Sequence, residues 1–376
     1  MNQTRYRQLL LPVSLLVFLV PFHIMNGQTT LNPDISILPR FLAQTNDAEP
    51  GNDGSQKFSQ VDFSFDELEI VAGSYLNPYA RADVVVAISG PDLENPELSL
   101  EEAYATIMRG LPLDLNIKFG KYRIEFGKLN TVHPHAWSFV TQPLSQQRFL
   151  GEEGLNDLAV SLSVLLPTGD IYSRLNVDIL RGSSFGGTIG IEDTTDANPA
   201  YGASSRLMGF FTTGDNSDLE VGISGLTGIH DPYNSRRFWY LNGDLKFKYR
   251  PSTYTSLLLQ GEFLYNMRNA SQDQDFNQFG VVKSVNSYGF FVFLDYQFLK
   301  SYSIGMRYDM SGTPYSSTDR LHAGSVYLGF YPVEETLAFR LQYQHTRSPE
   351  PGESQGVNFF GLQAMFSLGP HKAHPF

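Results

Sequence analysis

Two histidines one residue apart are the side chains in this sequence best suited to bind a ligand. His133 and His135 lie in the segment HPHAW (133–137), and Glu152 and Glu153 follow in the same stretch of chain. Residues two apart in an extended chain point to the same side, so both imidazoles can face one metal ion together with a carboxylate. The alternative is structural: Trp137 packs the segment in place and the imidazoles form hydrogen bonds. We favour the structural interpretation, because the sequence fixes no third metal ligand near the pair.

A nucleophile motif also occurs in the sequence. Gly182, Ser184 and Gly186 in GSSFG match the spelling G-x-S-x-G. That motif requires a strand before the serine and a helix after it, and the residues that follow have no helical period. The sequence contains no phosphate-binding loop, HExxH zinc motif or dinucleotide fingerprint. We therefore expect neither an enzyme nor a bound cofactor.

Segments with a period of two recur along the chain and must position these residues. Residues 79–89, 171–179 and 337–343 each alternate apolar side chains with polar or charged ones. Within 58–76 the apolar side changes by one residue after Phe65, which predicts a β-bulge. One fully apolar face beside one polar face is typical of strands that contact lipid on the outside and water on the inside.

The joins between these segments alternate in length. Short joins at 77–78, 109–111, 168–169, 215–216, 250–252, 300–301 and 333–334 separate longer, polar joins near 45–57, 90–97, 128–154, 183–203, 229–235, 270–283, 313–319 and 347–354. Fifteen joins predict sixteen strands, and the alternation is typical of barrels with tight turns on one side of a membrane and longer loops on the other. We therefore predict an all-β fold, a transmembrane antiparallel β-barrel. A soluble β-sandwich also alternates polar and apolar residues, but it gives no reason for the regular change in join length.

The longest join, 128–154, is the third of the long ones. In large barrels such a loop can fold inward and narrow the pore, and we predict that this one does. The predicted constriction consists of His133, His135, Trp137, Arg148, Glu152 and Glu153.

Charged residues occupy the polar face of the predicted strands. We assign to the lumen Arg81, Asp83, Lys118, Lys121, Arg123, Arg174, Lys246, Lys248 and Arg340. After a predicted change of side at Gly120, Lys121 and Arg123 face the lumen, while the apolar residues of 122–126 face lipid. Lys118, Lys121 and Arg123 would then form a basic patch beside the long loop.

The first residues resemble an export signal. Arg5 and Arg7 precede an apolar run of about 14 residues, which is short of the ~20 needed to span a bilayer as an anchor helix. We predict a signal peptide over residues 1–27 and a single barrel domain over 28–376. Removal of the signal takes two of the 27 Lys and Arg and none of the 39 Asp and Glu, so the net charge changes from −12 to −14. This acidic balance argues against a nucleic-acid partner.

Four segments carry a resemblance to a known family: NPDIS (32–36), NPYARAD (77–83), HPHAW (133–137) and RFLGEEGL (148–155). They are similar to segments of the sixteen-stranded porins of Gram-negative outer membranes, in particular phosphate-selective-porin-like and other porin-like proteins. The resemblance implies export through the periplasm to the outer membrane, contact with outer-membrane lipid and the barrel-assembly machinery, and assembly as a homotrimer. One departure is the C-terminus, where Phe376 is terminal but the preceding GPHKAHP contains two prolines unsuited to a paired strand.

Two functions follow from these observations. The first is a porin-like channel for passive diffusion of small hydrophilic solutes or ions, narrowed by 128–154. The alternative is a barrel that binds a metal ion or a specific ligand at that loop, for which His133 and His135 are weak metal candidates.

Overall fold

A computed structural model describes residues 33–48, 57–90, 96–185, 201–231, 236–271, 282–333, 336–349 and 356–369. The predicted signal peptide, 1–27, and the prolines and Phe376 of the C-terminal segment lie outside the described residues. No helix in the described part of the chain is long and apolar enough to cross a membrane.

The described residues form sixteen strands in one closed antiparallel barrel, in which each strand pairs with its neighbours in sequence and β1 pairs with β16. The strands are β1 (Asp34–Asn46), β2 (Asp62–Asn77), β3 (Ala80–Ser89), β4 (Glu97–Ile107), β5 (Asn116–Arg123), β6 (Asn156–Leu166), β7 (Tyr172–Leu180), β8 (Gly202–Gly214), β9 (Ser217–Asp231), β10 (Arg236–Ser252), β11 (Thr255–Ser271), β12 (Val282–Phe298), β13 (Tyr302–Thr313), β14 (Ser316–Val333), β15 (Leu337–Arg347) and β16 (Val357–Phe366). One α-helix, α1 (Leu144–Leu150), lies between β5 and β6. The predicted fold and strand number are confirmed.

The outer surface of the barrel is apolar and its inner surface is polar. Val160 on β6 pairs with Ile179 on β7, and these side chains are 48% and 65% exposed. Ser161 and Asp178, the next pair along the same ladder, are buried inside the barrel. A soluble protein buries its apolar side chains, so this inverted arrangement fits lipid outside and a hydrated lumen inside and excludes the β-sandwich.

Two β-bulges lie near each other on the lumenal wall. The predicted bulge after Phe65 is confirmed, since the pairing of β1 with β2 shifts at Asp66. A second shift in the pairing of β3 with β4 leaves Glu101 as an extra residue. A bulge re-aims side chains, and here both Glu101 and Glu102 are buried inside the barrel.

The predicted change of side at Gly120 is wrong. The β5–β6 register runs without a shift through Phe119↔Val160 and Lys121↔Leu158, so Lys121 stays on the outer face. Tyr122 is buried in the interior of the barrel, although the sequence pattern predicted that it faces lipid. Gly120 adopts φ +130°, a conformation open to glycine, and the pairing with β6 continues through it.

A second correction concerns the join predicted at 313–319. The pairing of β13 and β14 extends to Thr313↔Ser316, so only Pro314 and Tyr315 connect the strands. At the rim of a barrel, polar residues occur both in strand ends and in loops. Residue composition therefore does not show where the strand ends.

Candidate functional site

The join between β5 and β6, residues 124–155, lies inside the barrel and is called the lumenal loop below. Its two ends are held together by Asn130, whose side chain donates to the carbonyl oxygens of Ile124 (2.8 Å) and Leu155 (2.9 Å). The same side chain accepts from the Leu155 N–H at 2.8 Å. Ile124 and Phe126 are fully buried in an apolar cluster at this base, together with Phe149 and Tyr240. This closed base directs the rest of the loop into the lumen.

The first part of the loop is bonded to the wall formed by β9, β10 and β11. Lys128 Nζ lies 2.6 Å from Glu220 Oε2. The backbone N–H groups of Lys128 and Leu129 both donate to the Glu262 carboxylate, to which Gln146 Nε2 also donates at 2.8 Å. A buried carboxylate that accepts several hydrogen bonds is stabilised where it is, so Glu262 serves as a fixed anchor for the loop.

The middle of the loop packs against β12 to β15. Phe139 is buried against Phe293, with ring centroids 5.2 Å apart, and the Arg307 guanidinium lies 4.4 Å from the centre of the Phe139 ring. Arg307 also donates to the Thr141 carbonyl at 2.6 Å, and Gln342 accepts from the Val140 N–H at 2.6 Å. The loop is thus fixed to one side of the barrel from β9 to β15.

The opposite side of the barrel is left open as a cavity of about 790 Å³ between the loop and strands β1 to β9. Among the described residues, five acids and five bases line this cavity: Glu69, Asp83, Glu102, Glu125 and Glu220, with Lys118, Arg123, Lys128, Arg174 and Arg206. Several of them are paired, such as Arg174 with Glu125 at 2.7 Å. Lys118 lies over the rings of Tyr104 and Tyr122, at 5.0 and 4.6 Å from their centres.

A compact cluster of imidazoles and carboxylates lies at one edge of the cavity. The rings of His133 and His135 stack with centroids 5.6 Å apart. Glu69 of β2 faces both, with Oε1 at 2.9 Å from His135 Nδ1 and Oε2 at 3.2 Å from His133 Nδ1. Glu101 and Glu102 of β4 lie 3.4 and 3.7 Å from the two nitrogens of His133.

Electrostatics favour the protonated form of His133. Burial by itself lowers the pKa of this imidazole, but the negative charges of Glu69, Glu101 and Glu102 outweigh burial and hold the pKa well above its usual value. His135 is fixed through its backbone as well, because Arg340 donates to its carbonyl oxygen at 2.9 Å.

The residues predicted for the constriction divide into three groups. His133 and His135 line the cavity, whereas Trp137 packs against Phe139 in the support of the loop. Arg148 on α1 donates to Asp319 of β14 at 2.7 Å. Glu152 and Glu153 are exposed, and neither is the carboxylate that faces the histidines in the described contacts.

Most of the residues predicted to face the lumen do lie on the inner face of the barrel. On the lumenal side of their strands are Arg81, Asp83, Lys118, Arg174, Lys246, Lys248 and Arg340. Arg123, at the end of β5, is buried and its side chain lines the cavity. Lys121 is the exception, because it pairs with the exposed Leu158 and donates to the Leu100 carbonyl. The predicted basic patch therefore loses Lys121.

Sequence reasoning missed the carboxylates that face the loop. Glu69, Glu101, Glu102 and Glu262 occur in strands with no motif around them. One signal was present for two of them: consecutive glutamates at 101–102 interrupt the alternation of β4, as the predicted slip after Phe65 does in β2.

Comparison with known proteins gives the class of this barrel. The fold is similar to the outer membrane channel DcaP of Acinetobacter baumannii (TM-score 0.58, 13% identity, 92% of this chain and 99% of that one). It is also similar to an anion-selective porin of Comamonas acidovorans (TM-score 0.60, 6% identity, 90% and 100%) and to a trimer form of OmpT, an outer membrane protein of Vibrio cholerae (TM-score 0.56, 9% identity, 90% and 100%). The predicted porin resemblance is confirmed: the chain has the fold of bacterial outer-membrane porins.

A sequence relative comes from Aquifex aeolicus. An "Uncharacterized protein" of that organism is 30% identical over 308 residues, which cover 74% of this chain and 63% of that protein. The chain thus spans under two thirds of the length of this relative. No family model matches the sequence.

Proposed function

We propose that this protein is a passive channel of a bacterial outer membrane, and not an enzyme, through which small hydrophilic solutes and ions diffuse. The observation that carries the proposal is the position of the lumenal loop. Most of the loop is bonded to one side of the barrel, and beyond the contacts of His133 and His135 with β2 and β4 it leaves a cavity of about 790 Å³ along the other side. Such a loop narrows a wide barrel without filling it, so the cavity is the expected route.

The charges around this route support a channel of low ion selectivity. The described residues place five acids and five bases on the cavity wall, and pairs such as Arg174 with Glu125 partly cancel. Selectivity in pores follows the sign of the charges that face the passage. Because the acidic and basic residues of the wall balance, we expect the size and hydration of a solute to decide its passage more than its net charge.

Single-channel recording tests the proposal. Refolded protein without residues 1–27 is inserted into a planar bilayer under a KCl gradient, and a second protein lacks residues 131–151 of the loop. We expect discrete steps of current, and larger steps after the deletion. The variant Lys121→Gln is the matched control, since this lysine lies on the outer face and its conductance should equal that of the unaltered protein.

Two outcomes would contradict this function. Equal conductance of the intact and shortened proteins would show that the loop does not limit passage. Silence from protein that is shown to be folded by its gel mobility before and after heating would indicate a plugged barrel, and the alternative of a ligand-binding barrel would replace the channel.

We infer a homotrimer as the assembly, in a membrane whose lipid contacts the apolar outer face, and insertion by the barrel-assembly machinery. The similar OmpT of Vibrio cholerae has a trimer form, and the exposed apolar residues of the outer face, such as Val160 and Ile179, suit both lipid and a neighbouring subunit. Native mass spectrometry of the protein in detergent measures the assembly directly. A monomer at all protein concentrations would exclude the trimer and leave the channel intact.

A further inference from the structure

The histidine cluster contains buried polar atoms that lack hydrogen-bond partners. Among the described residues, Glu69 Oε2, Glu101 Oε2 and His133 Nδ1 have no such partner. Glu69 is 1% exposed and Glu101 is 4% exposed. Buried polar atoms are nearly always hydrogen-bonded, whereas here the two carboxylate oxygens lie 3.2 and 3.4 Å from His133 Nδ1 as ion-pair contacts without hydrogen-bond geometry.

The geometry of the cluster matches a metal site. One ligand atom each from Glu69, His133 and His135 lies within 4.8 Å of the others. Bonds of ~2.0–2.2 Å from a zinc ion to nitrogen and oxygen place ligand atoms about 3.5 Å apart, so a small inward movement of these side chains completes the site. The loop that carries both histidines begins and ends at fixed points, which keeps such a movement small.

The charge of the cluster also suits a bound cation, which would take the place of the proton that the carboxylates favour on His133. Glu69, Glu101 and Glu102 carry three negative charges, and Arg123 near Glu101 (3.7 Å) supplies one positive charge. With both imidazoles neutral, as metal ligation requires, two negative charges remain to be balanced. A divalent ion balances them.

We propose that Glu69, His133 and His135 bind a divalent transition-metal ion of the zinc type, with Glu101 as an additional oxygen ligand. Two imidazoles and a carboxylate favour Zn²⁺ and its neighbours in the first transition row, whereas Mg²⁺ and Ca²⁺ prefer oxygen ligands alone. This site is additional to the proposed channel and does not depend on it.

The surroundings of the ligands suit this assignment. His133 presents Nδ1 to Glu69 and Glu101, while Nε2 faces Glu102 at 3.7 Å. A carboxylate on the far nitrogen of a ligating histidine fixes its tautomer and ring orientation. Glu102 is itself held, because its other oxygen accepts from the Arg123 N–H at 3.0 Å.

A bound ion would reinforce the contact between the lumenal loop and β2, where His135 Nδ1 already lies 2.9 Å from Glu69 Oε1. His133 and His135 belong to the loop, and Glu69 belongs to β2. The ion would lie at the wall of the cavity, so it would place a fixed positive charge beside the path of a solute.

Calorimetric titration with Zn²⁺ tests the site without reference to conductance. Refolded protein in detergent is first treated with EDTA and dialysed, and Mg²⁺ and Ca²⁺ are titrated for comparison. We expect one Zn²⁺ per chain, release of protons on binding and weaker binding at acid pH, because protons compete for the imidazoles. Mg²⁺ and Ca²⁺ should bind at least tenfold more weakly.

Three variants decide whether the assigned residues bind the ion. H133A/H135A should abolish the site, and Glu69→Gln should weaken binding at least tenfold. The matched control is H322A/H345A, which removes two histidines that bond to Tyr308 and Asn358 and should leave Zn²⁺ binding unchanged. If Glu69→Gln fails to fold, Glu101→Gln takes its place with the same expectation.

The proposal is overturned if the unaltered protein binds no Zn²⁺, or if H133A/H135A binds it as tightly as the unaltered protein. In the first case the cluster is an ion-pair network of protonated histidines and carboxylates. The titration needs no open pore, so the zinc site and the channel are tested independently. A protein that binds zinc but conducts no current, and one that conducts current but binds no zinc, can be told apart.

Discussion

Asn130 and Leu155 close the lumenal loop on itself. The Asn130 side chain donates to the Leu155 carbonyl at 2.9 Å and accepts from the Leu155 N–H at 2.8 Å. The Ile124 N–H donates directly to the Leu155 carbonyl at 2.9 Å, and the carboxamide bridges the reciprocal pair, the Leu155 N–H and the Ile124 carbonyl. The pair lies directly above the end of the β5–β6 ladder, at Arg123↔Asn156. The loop therefore leaves the wall at a defined point and enters the lumen as one unit.

Replacement of Asn130 by Ala should loosen this base. The change removes the three Asn130 hydrogen bonds and leaves the buried Leu155 N–H without its partner, at a cost of about 1–3 kcal/mol if that group stays dry. The Ile124 and Leu155 carbonyl oxygens keep their hydrogen bonds from the backbone N–H groups of Phe126 and Ile124. We expect a lower urea midpoint, followed by the fluorescence of Trp137 and Trp239, and a noisier open-channel current. Thr168→Ala, which removes an exposed turn hydroxyl, is the control and should change neither measurement. A stable Asn130→Ala channel with normal noise would contradict the role of this residue.

Replacement of Arg307 by Met should destabilise the barrel through Asp309. The two side chains are fully buried and 2.8 Å apart, and removal of one partner of a buried ion pair costs roughly 3–5 kcal/mol. The double variant R307M/D309N removes the orphaned charge and should recover part of the loss. Unfolding in urea measures both variants. Equal stability of the single and double variants would show that the charge on Asp309 is not the cause.

Replacement of Lys118 by Gln should shift ion selectivity towards cations. Lys118 lines the cavity, and a charge ~8 Å from a permeating ion in water is worth about 0.5 kcal/mol, or roughly a two-fold change in the permeability ratio. The reversal potential under a KCl gradient measures this ratio. Lys121→Gln removes the same charge from the outer face and should leave the potential unchanged, as should Lys118→Gln in 1 M salt, where charges are screened. Equal shifts from the two variants would place the passage elsewhere.

Replacement of Gly127 by Ala should push the loop away from β11. Gly127 has φ +69°, and an added Cβ would overlap with Glu262 Oε2. The backbone strain alone costs about 1–2 kcal/mol. Gly151→Ala is the matched control, because its φ is +85° and nothing lies within 4 Å of the added carbon. We expect Gly127→Ala to lower the urea midpoint more than Gly151→Ala and to raise conductance, whereas identical behaviour would show that Glu262 yields without moving the loop.

The fold could be predicted from the sequence because a lipid-facing strand leaves a regular pattern. The alternation of residues and the alternation of join lengths are local properties, and together they fixed the number of strands. Lys121 was misplaced because Gly120 interrupts the pattern, and only the unbroken pairing with β6 shows that the side does not change. The end of β13 was missed because polar residues pair at the rim as readily as they form loops.

The candidate site could be predicted only in part. His133 and His135 were recognisable from their spacing, but their carboxylate partner Glu69 lies 64 residues earlier in the chain. Its proximity depends on the barrel closure, on two β-bulges and on the path of the loop across the lumen. The bulges interrupt the local alternation, but neither the closure of the barrel nor the path of the loop leaves a local signature. The sequence therefore pointed to Glu152 and Glu153, which are near the histidines in the chain.

Because of the position of the lumenal loop, the strands that line the cavity and most of the strands that hold the loop come from different parts of the chain. Apart from the loop itself, the described residues that line the cavity all lie between Ser36 and Glu220, whereas Glu262, Arg307 and Gln342, which hold the loop, come from the later strands. Substitutions in the first half of the barrel should therefore change which solute passes. Substitutions in the second half should change how the loop is held. A chimera that exchanges only β2 to β8 between two such barrels would transfer the preference for a solute. The width of its pore would remain that of the barrel that supplies the later strands and the loop.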